Sequence, residues 1–143
     1  MSDKRFVDTN ILVYAHDLGS GVKHQRARAL VEELWASLSG VLSTQVLQEL
    51  CVSLRRKVQP AIPSDEVRQL VQDYLSWEVV VNTGASILEA LEMEARYRIS
   101  FWDALILQSA TQSGAAVVYS EDFADRQYYG SVKIINPFVE SPS

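Results

Sequence analysis

The sequence predicts an α/β protein, a three-layer α/β/α sandwich built around a central parallel sheet of about five strands. Short apolar runs alternate along the chain with longer segments whose apolar residues recur at helical spacing, as in strand–helix–strand units. Several of the short runs are continuously apolar, which is typical of parallel strands covered by helices on both faces. Ligands of such folds bind beyond the carboxyl ends of the strands, so we expect the functional site there.

Five apolar segments predict the strands of this sheet. Each segment is short, and glycine, turn-forming or polar residues bound it, as is usual for strands. The regular alternation with helical segments indicates that the strands run parallel. In chain order the predicted strands are 5–7, 41–42, 77–81, 115–119 and 132–135.

The segments between the strands predict five helices, because their apolar residues recur every three or four positions. Gly40 and Gly114 end the first and the last of these helices. Ser43 or Thr44 can cap the second helix, and Ser64 can cap the third. The first and last helices cover about 23–38 and 100–113, and the other three are marked by Val46, Leu47, Leu50 and Leu54, by Val67, Leu70, Val71, Tyr74 and Leu75, and by Ile87, Leu88, Leu91 and Ala95.

Length and composition indicate one domain, 1–143. The chain has 143 residues, of which 48% are apolar, as in ordinary folded domains. It contains no apolar run of about 18 residues that could span a membrane, and its N-terminus lacks the features of a signal peptide. We therefore expect a cytoplasmic protein.

The net charge of −5 is unfavourable for a protein that binds nucleic acid, because phosphate binding usually needs a basic surface. The objection weakens when several of the acids are gathered in one metal site, since bound divalent cations reverse the local charge. The placement of the acids therefore matters more than their number.

Acidic residues directly follow two of the predicted strands. Asp8 ends the first strand, and Glu121 and Asp122 follow the fourth strand after Ser120. Each has a structural alternative: Asp8 can cap the helix that follows it, and the pair can form a polar turn. Their positions at the carboxyl ends of strands nevertheless make them candidates for one shared site.

Two further acids border apolar segments near helix starts. Asp103 lies between aromatic residues and an apolar run, although it is also placed to form a capping box with Ser100. Glu49 borders the apolar face of its helix, where pairing with a basic residue is the alternative. A partly buried carboxylate needs a partner, and a metal ion can supply one.

The four acids together predict a site for Mg²⁺ or Mn²⁺. Carboxylate oxygens are the ligands that these ions prefer, and the sequence has no Cys/His cluster for zinc. A divalent ion lowers the pKa of water and neutralises charge that develops on a phosphate. Hydrolysis of phosphodiester bonds is therefore the predicted class of reaction.

Four segments, in order, carry a family resemblance: Phe6 to Ala15 (FVDTNILVYA), 48–50 (QEL), 101–106 (FWDALI) and 118–123 (VYSEDF). With these segments the chain resembles the PIN domain family, and in particular the VapC-type toxin ribonucleases of type II toxin–antitoxin systems. The closing residues 129–130 and 134–138 are similar to one bacterial branch of that family. The resemblance implies a PIN-like fold and an endoribonuclease that depends on Mg²⁺ or Mn²⁺.

The resemblance also implies an assignment of the acids. The first three acids of the family correspond to Asp8, Glu49 and Asp103. The fourth corresponds to Asp122, with the adjacent Glu121 and the nearby Asp125 as alternatives. Asp8 and Asp103 would be the principal metal ligands, Asp122 would join them directly or through water, and Glu49 would complete the cluster.

Asn10 and Ser120 match polar positions of the family that orient the acids and the attacking water. Relatives of this type usually form homodimers and are held inactive by a small antitoxin protein, so both partners are expected here. Trp35 is a candidate contact for the antitoxin, with a place in the core as the alternative. Candidate contacts to the RNA backbone are Lys23, Arg26, Arg28, Arg55, Arg56, Lys57, Arg96 and Arg98, with solvated helix faces as the alternative.

Two other functions fit the sequence. One is a housekeeping PIN nuclease or another metal-dependent phosphoesterase. The other is a catalytically inactive PIN-like module that binds RNA or protein. The presence of all four acids favours an active nuclease over the inactive module.

Overall fold

The computed structural model of the chain describes residues 3–139, which form a six-stranded sheet flanked by six helices. The strands are β1 (Arg5–Val7), β2 (Gly40–Ser43), β3 (Glu78–Val80), β4 (Val117–Tyr119), β5 (Tyr128–Tyr129) and β6 (Val132–Ile135). The helices are α1 (Thr9–His16), α2 (Val22–Ser37), α3 (Thr44–Arg56), α4 (Ser64–Tyr74), α5 (Gly84–Tyr97) and α6 (Phe101–Ser113).

The strand order is β3-β2-β1-β4-β6-β5, and every pairing except β5 with β6 is parallel. The predicted α/β sandwich with five parallel strands is therefore confirmed. The sixth strand, β5, was not predicted because it has only two residues. It forms a hairpin with β6 through Gly130, whose φ of +62° is a conformation that glycine adopts without strain.

The chain reverses its direction of travel across the sheet between β1 and β4. From β1 it proceeds to β2 and then β3 on one side, and it returns from β3 to β4 on the other. Right-handed crossovers then place α1 to α4 on one face and α5 and α6 on the opposite face, and the helix–helix contacts agree with this division. The carboxyl ends of β1 and β4 meet at this reversal, which is where α/β sheets bind ligands.

Local sequence explains most of the helix ends. Ser43 caps α3 by accepting a hydrogen bond from the backbone N–H of Val46, as one of the two predicted alternatives. Gly114 ends α6 with a φ of +76°, as predicted. Ser64 does not cap α4, because Pro63 occupies the cap position and Ser64 is already the first helical residue.

Helix α5 shows where periodicity was misleading. The predicted helix exists, but three of the apolar residues that marked it, Ile87, Leu88 and Leu91, are exposed. The helix instead buries the small residues Ser86 and Ala90 against α6. Small side chains on the inner face allow the two helices to pack closely, and the larger apolar residues are left on the outside.

An aromatic cluster closes the core at the β2–β3 edge of the sheet. The ring of Trp35 is stacked on that of Tyr74, with centroids 5.7 Å apart, and both rings meet Trp77 edge-on. Trp77 lies against Gly40, where an added Cβ atom would come within 2.4 Å of the indole ring. The prediction that Gly40 ends the first predicted helix was wrong, because that helix, α2, ends at Ser37 with Leu38 as its left-handed cap, and Gly40 begins β2. The missing side chain of Gly40 instead leaves room for the tryptophan.

Within residues 3–139, every helix is too short or too polar to cross a lipid bilayer.

Candidate active site

Asp8 lies where β1 ends and α1 begins, so one side chain is fixed by two elements. Its Oδ1 accepts a hydrogen bond from the backbone N–H of Thr9 at 2.7 Å, which makes Asp8 the N-terminal cap of α1. Its Oδ2 accepts a hydrogen bond from the Ser120 hydroxyl, also at 2.7 Å. Backbone pairing between Asp8 and Tyr119 holds the ends of β1 and β4 together beneath this contact.

The Asp8 carboxylate is buried, with 5% of the residue exposed. Burial raises its pKa, the two hydrogen bonds oppose this rise, and the negative charges of Asp122 and Glu49 add to it, so the resulting pKa is about 7. None of the ion pairs formed within residues 3–139 includes Asp8. The protein thus keeps a carboxylate in an environment that disfavours its negative charge.

Ser120 connects the acids of the first and fourth strands. Its hydroxyl donates to Asp8, and its oxygen accepts the backbone N–H of Asp122 at 3.1 Å. The serine is completely buried, so this arrangement is shielded from water. The turn after β4 is therefore held with Asp122 beside the Asp8 carboxylate.

The two alternatives to Asp122 have other partners in the structure. Tyr14 donates a hydrogen bond from its hydroxyl to Glu121, and the Lys23 ammonium contacts the same carboxylate at 2.8 Å. Burial alone would raise the pKa of Glu121, but these two hydrogen bonds hold it below its usual value. Asp125 accepts the backbone N–H of Asn136 at 2.8 Å and so stabilises the turn after β6.

Glu49 reaches the site from the second turn of α3. Its Oε1 accepts a hydrogen bond from the Thr9 hydroxyl at 3.3 Å. Partial burial raises the pKa of Glu49, and the charge of Asp103 raises it further, whereas Thr9, Gln45 and Lys57 act in the opposite direction. The Glu49 carboxylate therefore interacts electrostatically with Asp8 and with Asp103.

Asp103 lies in the first turn of α6, where its backbone N–H bonds to the Ser100 side chain at 3.1 Å. The predicted capping role of this segment is thus real, with Ser100 as the cap. Burial raises the pKa of Asp103, and the charge of Asp122 raises it further. Its side chain does not line the cleft that the other three acids share, but its charge acts on Glu49.

The cleft beside Asp8 has a volume of about 370 Å³. Its walls come from α1, α3 and the turn after β4, and they include three of the four predicted acids, Asp8, Glu49 and Asp122. Asn10 also lines it, and both polar atoms of the Asn10 amide are buried without a hydrogen-bond partner in the described residues. Unpaired buried polar atoms are costly, so this amide is available to a bound molecule.

Within residues 3–139, no three acidic, histidine or cysteine side chains lie close enough together to form a complete cation site. The four acids act on one another through their charges instead. Their chemistry fits a divalent ion, because carboxylate oxygens are the ligands that Mg²⁺ and Mn²⁺ prefer. A cation would also offset the burial of the Asp8 charge, which no basic side chain offsets.

Two residues of the site were not predicted from the sequence. Thr9 supports Asp8 with its N–H and Glu49 with its hydroxyl. Gln45 is buried and bridges two elements, because its amide donates to the backbone oxygen of Trp102 and also acts on the Glu49 carboxylate. The position of Thr9, directly after Asp8, could have indicated its role, whereas nothing in the sequence relates Gln45 to Trp102.

Within residues 3–139, four of the eight candidate RNA-contacting residues form hydrogen bonds or ion pairs. Lys23 pairs with Glu121, Arg26 donates to the backbone oxygen of Phe138, Arg28 pairs with Glu32, and Arg55 donates to the backbone oxygen of Cys51. Trp35 is partly buried in the aromatic cluster and also lines a surface groove between α2 and α4. The predicted place of Trp35 in the core is therefore present, and its contact with an antitoxin stays a prediction.

Comparisons with known proteins agree on the fold. The sequence profile of the PIN domain matches residues 5–129. A comparison with curated proteins gave no match.

Three solved structures resemble the chain over most of its length. VapC20 of Mycobacterium tuberculosis, described as a toxin that cleaves the sarcin–ricin loop, has a TM-score of 0.67 and 23% identity, with 85% of this chain and 92% of that chain covered. A toxin–antitoxin complex from Klebsiella pneumoniae has a TM-score of 0.69 and 18% identity, covering 94% and 98%. VapBC2 of Rickettsia felis, bound to a promoter DNA fragment, has a TM-score of 0.61 and 17% identity, covering 91% and 96%.

Proposed function

The chain belongs to the PIN domain family, and on this basis we propose that it is a metal-dependent endoribonuclease, the toxin of a toxin–antitoxin pair. The observation that carries the proposal is the buried Asp8 carboxylate at the reversal point of the sheet. It faces a cleft together with Glu49 and Asp122, and its negative charge has no basic partner. An acid kept in such a place is typical of a functional site rather than of a structural ion pair.

The cofactor of the proposed reaction is Mg²⁺ or Mn²⁺. Asp8, Asp103 and Asp122 would hold it, with Glu49 completing the set. When bound, such an ion supplies positive charge that lowers the pKa of water and offsets the charge that develops on a phosphate. The remaining requirements of the reaction, which are orientation and proton acceptance, fall to the side chains of the chain itself.

The side chains divide these tasks by their contacts. The N–H of Thr9 and the hydroxyl of Ser120 fix both oxygens of Asp8, so this carboxylate presents one orientation to the cleft. The Thr9 hydroxyl holds Glu49, which accepts a hydrogen bond from the attacking water. The buried, unpaired amide of Asn10 hydrogen-bonds to the substrate or the water. Attack of water on phosphorus, with departure of the 3′ oxygen, leaves a 5′-phosphate.

An RNA substrate is compatible with the net charge of −5. Asp8, Glu49, Asp103 and Asp122 lie at this end of the sheet, and a divalent ion bound there would make the cleft attractive to phosphate. With RNA as the substrate, we also propose that the protein acts in the cytoplasm.

The proposal of a toxin with an antitoxin partner is supported by the solved structures of similar fold, one of which is described as a toxin–antitoxin complex and another as a toxin. The surface of the chain is suited to a protein partner, because Ile87, Leu88 and Leu91 expose apolar side chains on α5. We propose that the chain forms a homodimer and binds a small antitoxin. Light scattering on the purified protein, alone and with the product of a neighbouring small gene, measures both.

Cleavage of single-stranded RNA tests the proposal directly. The purified protein is expected to cut RNA in Mg²⁺ or Mn²⁺ and to stop in excess chelator, with activity restored when the ion is returned. The variant Asp8→Asn is expected to fold and to lose most of the cleavage, on the order of a hundredfold or more. The matched control, Asp3→Asn, changes an exposed acid outside the site and is expected to retain activity.

Two results would count against the proposal in different ways. Cleavage that continues in excess chelator would exclude the metal-dependent mechanism. RNA binding without any cleavage, unchanged by Asp8→Asn, would instead favour the inactive PIN-like binding module.

A further inference from the structure

The cleft beside Asp8 continues away from the acids along α3. Ser53 and Lys57 also line it, together with Val13 and Tyr14 of α1 and Asp17 at the end of that helix. The acids and Lys57 thus lie in one continuous depression. A chain molecule bound at the acids has a path that leads to a basic residue.

The spacing along α3 explains this arrangement. Glu49, Ser53 and Lys57 are four residues apart, and residues at this spacing lie on the same face of a helix. Lys57 follows the last residue of α3 and still has a helical backbone. At a rise of about 1.5 Å per residue, its backbone lies about 12 Å along the helix from that of Glu49. Lys57 is therefore placed beside the acid cluster and not within it.

Lys57 combines two features that make it available to a ligand of this cleft. Within residues 3–139, Lys57 is the one basic residue that lines this cleft. In the same part of the chain, its exposed ammonium forms no hydrogen bond or ion pair, whereas Lys23, Arg28 and Arg55 each have a partner. Its charge does reach the site, because it lowers the pKa of Glu49.

We propose that Lys57 binds a phosphate of single-stranded RNA that flanks the scissile phosphate. This inference rests on the proposed function and adds a second anchoring point to it. RNA carries a phosphate at every nucleotide, so a strand whose scissile phosphate lies at the acids must direct its neighbouring phosphates along the cleft or out of it. Val13 and Tyr14 provide an apolar wall for the nucleotide between the two anchoring points.

The salt dependence of RNA binding measures such a contact. The experiment uses a fluorescently labelled single-stranded RNA and the Asp8→Asn protein in Mg²⁺, which binds without cutting. In this background, Lys57→Gln is expected to weaken binding several-fold. It is also expected to reduce the slope of log K against log salt by about 0.7, the value for one phosphate contact on a single strand. Arg68→Gln is the matched control, because Arg68 is an exposed basic residue of α4 that lines a different groove.

Kinetics of the otherwise unaltered enzyme provide the second measurement. Lys57→Gln is expected to raise KM with little change in kcat, because the contact is to a flanking phosphate. A role for Lys57 only as a counter-charge to Glu49 would instead change the affinity for Mg²⁺ and leave the salt slope as it was.

An unchanged salt slope and KM in Lys57→Gln, with an enzyme that still cuts RNA, would overturn the inference and leave the proposed function intact. The same result with a loss of antitoxin binding would assign Lys57 to the protein partner. A protein that neither binds nor cuts RNA would overturn the proposed function and this inference together.

Discussion

At the scale of single residues, Asp8 combines two descriptions that the sequence presents as alternatives. It caps α1 through Oδ1, and it belongs to an acid cluster through the contacts of Oδ2 and the charges around it. The position after a strand made Asp8 a candidate for the site, and the same signal made Asp122 one. It could not separate Asp122 from Glu121, because the partners of Glu121, Tyr14 and Lys23, come from distant parts of the chain.

The buried charge of Asp8 predicts how stability depends on pH in the absence of metal. Its pKa is about 7 in the folded protein and 3.8 when exposed, so the folded state binds the proton more tightly. This stabilisation is complete below pH 4 and is lost as the pH rises to 7, and it amounts to on the order of 4 kcal/mol. Denaturation of the metal-free protein by urea is expected to show this fall.

The variant Asp8→Asn isolates that contribution. An amide can accept from the N–H of Thr9 and donate to the oxygen of Ser120, so it retains both hydrogen bonds without a charge to bury. The variant is expected to be more stable than the natural protein at pH 8 and to show a weaker dependence on pH. It is also expected to gain less stability from added Mg²⁺. Equal pH profiles for the two proteins would contradict this account of Asp8.

At the scale of elements, the sequence predicts helices and strands more reliably than it predicts which side they bury. All five predicted strands and all five predicted helices exist, because each has a strong apolar pattern. The short strand β5 gives no such pattern, and the outward-facing residues of α5 follow helical spacing as well as inward-facing ones do. Which face a helix buries is decided by its neighbour, here α6, and the sequence of one helix does not contain that information.

The contact between β2 and Trp77 gives a prediction at this scale. Gly40→Ala places a Cβ atom 2.4 Å from the indole ring, and because the ring belongs to a packed aromatic cluster it cannot move freely. The substitution is expected to cost about 1–3 kcal/mol of unfolding free energy. Gly84→Ala is the control, since nothing lies within 4 Å of its added Cβ and alanine is the better helix former. Thermal denaturation that ranks Gly40→Ala equal to Gly84→Ala would contradict this packing argument.

At the scale of the whole molecule, the topology explains why four acids from distant parts of the sequence lie at the same end of the sheet. The reversal between β1 and β4 brings Asp8 and Asp122 together, and the starts of α3 and α6 bring Glu49 and Asp103 to the same end of the sheet. The α/β class and the rule for parallel sheets made this end of the sheet predictable. The contacts of Thr9 with Glu49 and of Gln45 with Trp102 were not predictable, because each joins two different helices.

The location of a bound divalent ion shows whether these four acids form a metal site. A crystal of the protein soaked in Mn²⁺ and measured at a wavelength where manganese scatters anomalously shows where the ion lies. The account predicts a peak coordinated by Asp8, with Asp103 and Asp122 among its direct or water-mediated ligands and with Glu121 still bound to Tyr14 and Lys23. A fully occupied manganese site elsewhere, with none beside Asp8, would contradict it.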